Sequence, residues 1–100
     1  MPTEAEMYQQ AIRTWGTEAQ ETLAIEEMAE LIKVIAKLHR NINGSDLSQL
    51  AEEITDVRLM LDQLEWAYCL QSYCQTWREN KLERLEKMLW PEGVQHDRRA

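Results

Sequence analysis

The sequence predicts an all-α protein, an antiparallel helical bundle of about four helices whose core is completed by homo-oligomerisation. Three observations lead there. Apolar residues recur at the three- and four-residue spacing of helices, and essentially no strand is expected. Only three Gly and two Pro occur, and most stand where that periodicity breaks. With 100 residues and 11.8 kDa there is room for one small core, so residues 1–90 are read as a single helical domain.

The first helix is expected from about residue 3 to about residue 15 and ends before Gly16. Thr17 then offers a cap for the next helix, with Gln20 three residues on to complete a capping box. That second helix should run from about residue 18 to about residue 40. Asn41-Ile-Asn-Gly44-Ser45 follows as a turn short enough to force an antiparallel pair, with Ser45 or Asp46 as the next cap. A third helix is expected over about 47–69 and a fourth over about 74–90. No Gly or Pro marks their boundary near Gln71 and Ser72, so the two are read as nearly continuous. Residues 91–100 carry no apolar period and read as a flexible tail.

Composition narrows the function. Eleven Lys and Arg stand against 18 Asp and Glu, a net charge of −7 that argues against a primary role in gripping nucleic-acid phosphates and suits a partner that brings cations. No apolar run approaches the roughly 18 to 20 residues needed to cross a bilayer, and Met-Pro-Thr-Glu-Ala-Glu is not a signal peptide, so a soluble cytoplasmic protein is expected. Cys69 and Cys74 fit neither a redox pair nor a zinc motif and read as reduced thiols. A helical chain this short leaves much of its apolar surface uncovered, which points to self-association.

The informative feature is acidic. At about 100° per residue the second helix gathers Ala24, Met28, Leu31, Ile32, Val34, Ile35 and Leu38 into one apolar sector. Glu27 falls inside it, Glu30 at its edge, and Glu26 toward solvent. The third helix gathers Leu47, Leu50, Ile54, Val57, Met60, Leu61, Leu64 and Tyr68, with Glu53 inside the sector and Asp56 at its edge. Two facing helices thus carry Glu-x-x-Glu and Glu-x-x-Asp, and the i,i+3 spacing lets both members of a pair reach one point. Counted from the turn, Glu30 and Asp56 are level, whereas the pair midpoints differ by roughly 6 Å, one helical turn.

Like charges withdrawn from water destabilise a fold unless something compensates them. A hard divalent cation with oxygen ligands is the natural compensator, Mg²⁺ or alternatively Mn²⁺. A di-iron bundle would need Glu-x-x-His, but Ala36 and Gly93 stand three residues before His39 and His96. No EF-hand loop, P-loop, dinucleotide turn or zinc spacing is present.

Ile25-Glu-Glu-Met-Ala-Glu30-Leu31 followed by Ala51-Glu-Glu-Ile-Thr-Asp56-Val57 resembles the EExxE and ExxD signature of the all-α nucleoside triphosphate pyrophosphohydrolases, the MazG-like and dimeric dUTPase/dCTPase group. The 22 residues between Glu30 and Glu53 suit that signature, and the resemblance extends from about residue 15 to about residue 89. It looks most like the short single-domain members of bacteria and phages, and the group's dimeric and tetrameric members imply a homodimer or homotetramer. The resemblance implies Glu27, Glu30, Glu53 and Asp56 as Mg²⁺ ligands, with Glu26 and Glu52 at the neighbouring acidic positions. It also implies the reaction: hydrolysis of a nucleoside triphosphate between the α and β phosphates to the monophosphate and pyrophosphate. Glu27 or Glu30 would take the proton of the attacking water.

Substrate phosphate needs further donors, and Arg78, Lys81, Arg84 and Lys87 follow one another at spacings of three. Asn80-Lys81-Leu-Glu-Arg84-Leu85 resembles the phosphate-binding segment of the same group, which singles out Lys81, then Arg84 and Asn80. Trp15 and Gln20, near the start of the second helix, could stack on and hydrogen-bond a nucleobase, Trp15 being otherwise a core anchor. Trp66, Trp77 and Trp90 have no charged constellation in the sequence and read as packing or subunit-contact residues. Two rival readings remain. One is a diphosphatase for another phosphorylated small molecule; the other is a noncatalytic helical oligomeric adaptor with acidic faces.

Overall fold

The computed structural model describes residues 1–38, 40 and 44–93. It contains four helices and, among the described residues, no strand: α1 (Glu4–Trp15), α2 (Thr17–Leu38), α3 (Gly44–Ala67) and α4 (Gln71–Leu89). None of these is long and apolar enough to cross a membrane. Met1–Cys69 form one unit, holding α1 to α3, and the chain from Leu70 onward forms a second, built on α4.

Each boundary has a local cause. Thr3 caps α1: its hydroxyl accepts from the Glu6 backbone amide at 3.1 Å, and the Glu6 carboxylate accepts from the Thr3 amide at 3.2 Å. The capping box therefore stands one helix earlier than the sequence suggests. Gly16, at φ +90°, closes α1 and lends its carbonyl to the Gln20 amide at 3.2 Å as α2 begins. Thr17 is already helical and the Gln20 side chain turns inward, so the expected Thr17–Gln20 box does not form. The turn over 41–43 and the tail over 94–100 lie outside the described residues. Between α3 and α4, Cys69 takes the left-handed conformation at φ 55°, a position that normally selects Gly. Cys69 costs about 1–2 kcal/mol there relative to a right-handed residue, which is why a scan for Gly and Pro misses the break.

Within the first unit α2 and α3 pair antiparallel. Gln20 meets Gln63 and Glu21 meets Tyr68, whereas Glu27, further along α2, lies beside Asp56, further back in α3. α1 lies along α3 in the same sense, the Tyr8 hydroxyl donating to Asp62 at 3.2 Å and Ile12 and Arg13 sharing a groove with Trp66 and Ala67. Among the described residues Tyr8, Ala24, Val34, Val57 and Met60 are the buried apolar ones, and Ala24 lets two backbones approach closely.

The buried face of α2 is narrower than its apolar sector. Leu31 and Leu38 are half-buried, but Met28, Ile32 and Ile35 are exposed; Leu47 and Leu61 on α3 and Tyr68 just after it are likewise exposed. One neighbouring helix covers only part of a broad apolar sector, so its margins stay in solvent. Cys69 is exposed and Cys74 half-buried.

Candidate metal centre

The α2–α3 register builds the acidic site. Pairing Gln20 with Gln63 sets Glu27 opposite Asp56 and brings the positions of Glu30 and Glu53 level. The one-turn offset expected between the two acidic pairs is absent. Its cause is simple: α2 stops at Leu38 and α3 starts at Gly44, so the turn is centred earlier than an α3 start near 47 implies.

Glu27, Glu53 and Asp56 each present a carboxylate oxygen within 4.8 Å of the others, and all three side chains are half-buried. Glu53 is the most constrained. Its Oε2 is shielded from solvent and has no hydrogen-bond partner. Burial raises its pKa above the ordinary carboxylate value, and the negative charges of Glu27, Asp56, Glu30 and Glu52 raise it further. Glu30 diverges from the other three: it is exposed and its Oε1 lies 3.4 Å from Lys33 Nζ, one turn along α2. Glu26 and Glu52 are exposed.

These residues fit a hard divalent cation. Ligand oxygens sharing one Mg²⁺ at about 2.1 Å lie at most about 4.2 Å apart, a small side-chain adjustment from the spacing seen. The orphaned Glu53 oxygen is the kind of buried acceptor that a cation satisfies. Glu27, Glu53 and Asp56 would hold it.

Two concavities meet at this face of α2. One, of about 230 Å³, is lined by Leu23, Glu27, Asp56, Leu59, Met60 and Gln63. The other, broader at about 700 Å³, is lined by Trp15, Glu18, Ala19, Thr22, Leu23 and Glu26. Leu23 belongs to both, so the Trp15 groove adjoins the acidic one. Trp15 is 64% exposed and is therefore no core anchor. Gln20 is the reverse case, 4% exposed, its Nε2 donating to Gln63 Oε1 at 2.6 Å. Its amide is committed to the helix pair, and the glutamine that lines the acidic concavity is Gln63. Nothing in the sequence alone marks Gln63, because its role depends on the residue that α2 sets against it.

Asn80, Lys81 and Arg84 lie on α4 in the second unit and are exposed. Lys81 Nζ stands over the Trp77 ring, 5.6 Å from its centre, and both line an apolar concavity with Cys74, Arg78, Leu82 and Leu85. Trp77 thus has the charged neighbour that the sequence reading denied it. Lys87 is paired with Glu83 at 3.1 Å.

Comparison of the chain with protein-family models, with curated proteins and with solved structures returns no match.

Proposed function

We propose that this protein is a Mg²⁺-dependent nucleoside triphosphate pyrophosphohydrolase that converts a ribo- or deoxynucleoside triphosphate to its monophosphate and pyrophosphate, with Mn²⁺ as a possible substitute metal. The observation that carries the proposal is the convergence of Glu27, Glu53 and Asp56 from two helices on one point, around a Glu53 oxygen that has neither solvent nor a partner. The double acidic motif supplies the choice of bond and products. Bound there, the cation would offset carboxylate and phosphate charge and acidify a water molecule.

The protein's own groups would do the rest. Glu30 keeps an exposed carboxylate level with Glu53 and is the group best able to accept the proton of the attacking water, with Glu27 the alternative. Exchange of its weak, exposed pairing with Lys33 for that proton costs little. Gln63, held by Gln20, lines the acidic concavity and fixes the level at which substrate meets Glu27 and Asp56. Trp15 offers an exposed ring for a nucleobase in the adjoining groove. Lys81, Arg84 and Asn80 would be the donors for phosphate oxygens, supplied by α4 of the same chain or of a second copy.

The test is pyrophosphate release from a panel of ribo- and deoxynucleoside triphosphates, with Mg²⁺, with Mn²⁺ and with EDTA. Metal-dependent release from at least one triphosphate is expected. A diphosphatase for a different phosphorylated compound would turn over only non-nucleotide substrates, and an adaptor would neither need metal nor turn over anything; either result overturns the proposal.

A further inference from the structure

One face of α2 changes character along its length. At about 100° per residue, Ala19, Thr22, Leu23, Glu30, Lys33 and Lys37 all lie within about 60° of Glu26, so they form a single strip. The first part of the strip lines the Trp15 groove, to which Glu18 and Glu26 add negative charge. The last part carries Lys33 and Lys37. Between the two parts the strip passes Glu30 and borders Glu27, the edge of the acidic site.

Lys33 is tied to that site by a direct contact. Its Nζ lies 3.4 Å from Glu30 Oε1, and Glu30 is level with Glu53 across the helix pair. The side chain leans back along α2, as the tilt of helical Cα–Cβ bonds toward the N-terminus favours. An ammonium has several N–H donors, and Glu30 engages one of them at long range, which leaves the others for an anion. Arg13 and Arg58, in the same unit, stand away from the site: Arg13 shares the α1–α3 groove with Trp66, and Arg58 lies about 160° around α3 from Asp56. Lys33 and Glu30 belong to one helix, so α2 by itself fixes the relation between them.

A nucleoside triphosphate has the same order of parts, a flat base at one end and anionic charge at the other. Glu18 and Glu26 repel phosphate from the Trp15 end, whose ring suits a base, while Lys33 attracts phosphate to the opposite end. From Leu23, at the edge of the Trp15 groove, to the level of Glu30, where the Lys33 ammonium sits, is about 10 Å along the helix, within the span of an extended nucleoside triphosphate. One divalent cation does not offset the carboxylates and a triphosphate together, so a cationic donor at that end has charge to neutralise.

We propose that Lys33 is a substrate-binding residue that donates to the terminal phosphates of a triphosphate lying along this strip, its base in the Trp15 groove and its α phosphate beside Glu27 and Asp56. The proposal rests on the triphosphate reading of the acidic site and adds to it a donor from the first unit and a direction for the substrate.

The two products probe the two ends separately. With Mg²⁺ present, isothermal titration of the full chain with inorganic pyrophosphate reads the Lys33 end, and titration with the monophosphate of the triphosphate turned over best reads the Trp15 end. Lys33→Gln should weaken pyrophosphate binding at least about tenfold and leave monophosphate binding within about twofold of the parent. Trp15→Ala should do the reverse. Arg58→Gln removes the same charge from an exposed position away from the strip and should change neither. Circular dichroism should show all three variants as helical as the parent. Pyrophosphate held equally by the parent and Lys33→Gln overturns the proposal, as does loss of both ligands together in Lys33→Gln or an equal loss of pyrophosphate in Arg58→Gln; metal-dependent turnover by the parent would still stand. Trp15→Ala that weakens pyrophosphate instead of the monophosphate overturns the direction of the substrate. A parent that releases no pyrophosphate from any triphosphate removes the underlying reading, and the proposal with it.

Discussion

Glu27 on α2 and Glu53 on α3 face each other across the helix pair with carboxylate oxygens inside 4.8 Å, and the Glu53 oxygen Oε2 is closed off from water. Neutralising one of them should separate folding from function. Glu53→Gln keeps the volume and removes the charge, so the metal-free protein should melt at a higher temperature than the parent. Its Mg²⁺ affinity should fall by at least about tenfold and pyrophosphate release should be nearly abolished. Mg²⁺ should raise the melting temperature of the parent by mass action and fail to do so for Glu53→Gln. Glu52→Gln, on the exposed side of α3, should alter neither affinity nor turnover appreciably. Thermal melts, metal titration and a pyrophosphate assay on the two variants check this, and normal metal affinity in Glu53→Gln would remove the basis of the site.

The α4 cations should differ in kind. Lys87 is engaged with Glu83, whereas Lys81 stands over Trp77. A charge-assisted hydrogen bond to phosphate contributes about 1.5–3 kcal/mol, so Lys81→Ala should raise KM for the triphosphate by roughly 10- to 100-fold. Lys87→Ala should stay within about twofold of the parent, as expected for an exposed ion pair. Steady-state kinetics on both variants decide the matter, and equal effects would make α4 no more than a solvated charged helix.

Gln20 and Gln63 should behave as one unit. Gln20→Leu leaves the Gln63 carbonyl without its donor in a part-buried setting and should destabilise the fold by about 1–3 kcal/mol. With Gln63→Leu added, the loss should be smaller than the sum of the two single changes, which a double-mutant cycle by chemical denaturation measures. Additive losses would show that the amide pair does not set the helix register.

Tyr8 gives the fold a pH dependence on the alkaline side. Burial holds its phenol pKa above the ordinary value, with the Asp62 charge, the hydrogen bond to Asp62 and the Glu4 charge acting in the same direction. A group whose folded pKa is raised contributes stability that is fully present below its unfolded pKa, about 10 for Tyr, and lost as pH rises through the folded value. Stability should therefore decline above pH of about 10 more steeply for the parent than for Tyr8→Phe. At neutral pH the variant should be weaker by about 1 kcal/mol for the lost hydrogen bond. Urea titrations at neutral and alkaline pH compare the two.

The sequence by itself determined the all-α class, the limits of α1 to within a residue, and the inward azimuth of Glu27 and Glu53, but it set Asp56 and Glu30 alike at the sector edges, where Asp56 is half-buried and Glu30 exposed. Those properties follow from the 3.6-residue period and from local caps, which act over one or two turns. What only the tertiary structure decided is how the helices meet. Register is a relation between two segments, and it set Glu27 opposite Asp56, gave Gln20 the partner Gln63, and left Glu30 level with Glu53 yet turned to Lys33. The same limit applies to burial. A helical wheel puts Ile32 and Ile35 in the apolar sector, but α3 has room for one face of α2, and both remain in solvent because no periodicity states how wide a neighbour is. The sequence places the break after α3 two to three residues late, near Gln71 and Ser72, for a local reason of the same kind. Cys69 adopts a left-handed backbone that its side chain does not favour, and the energy that holds it there comes from the structure around the turn.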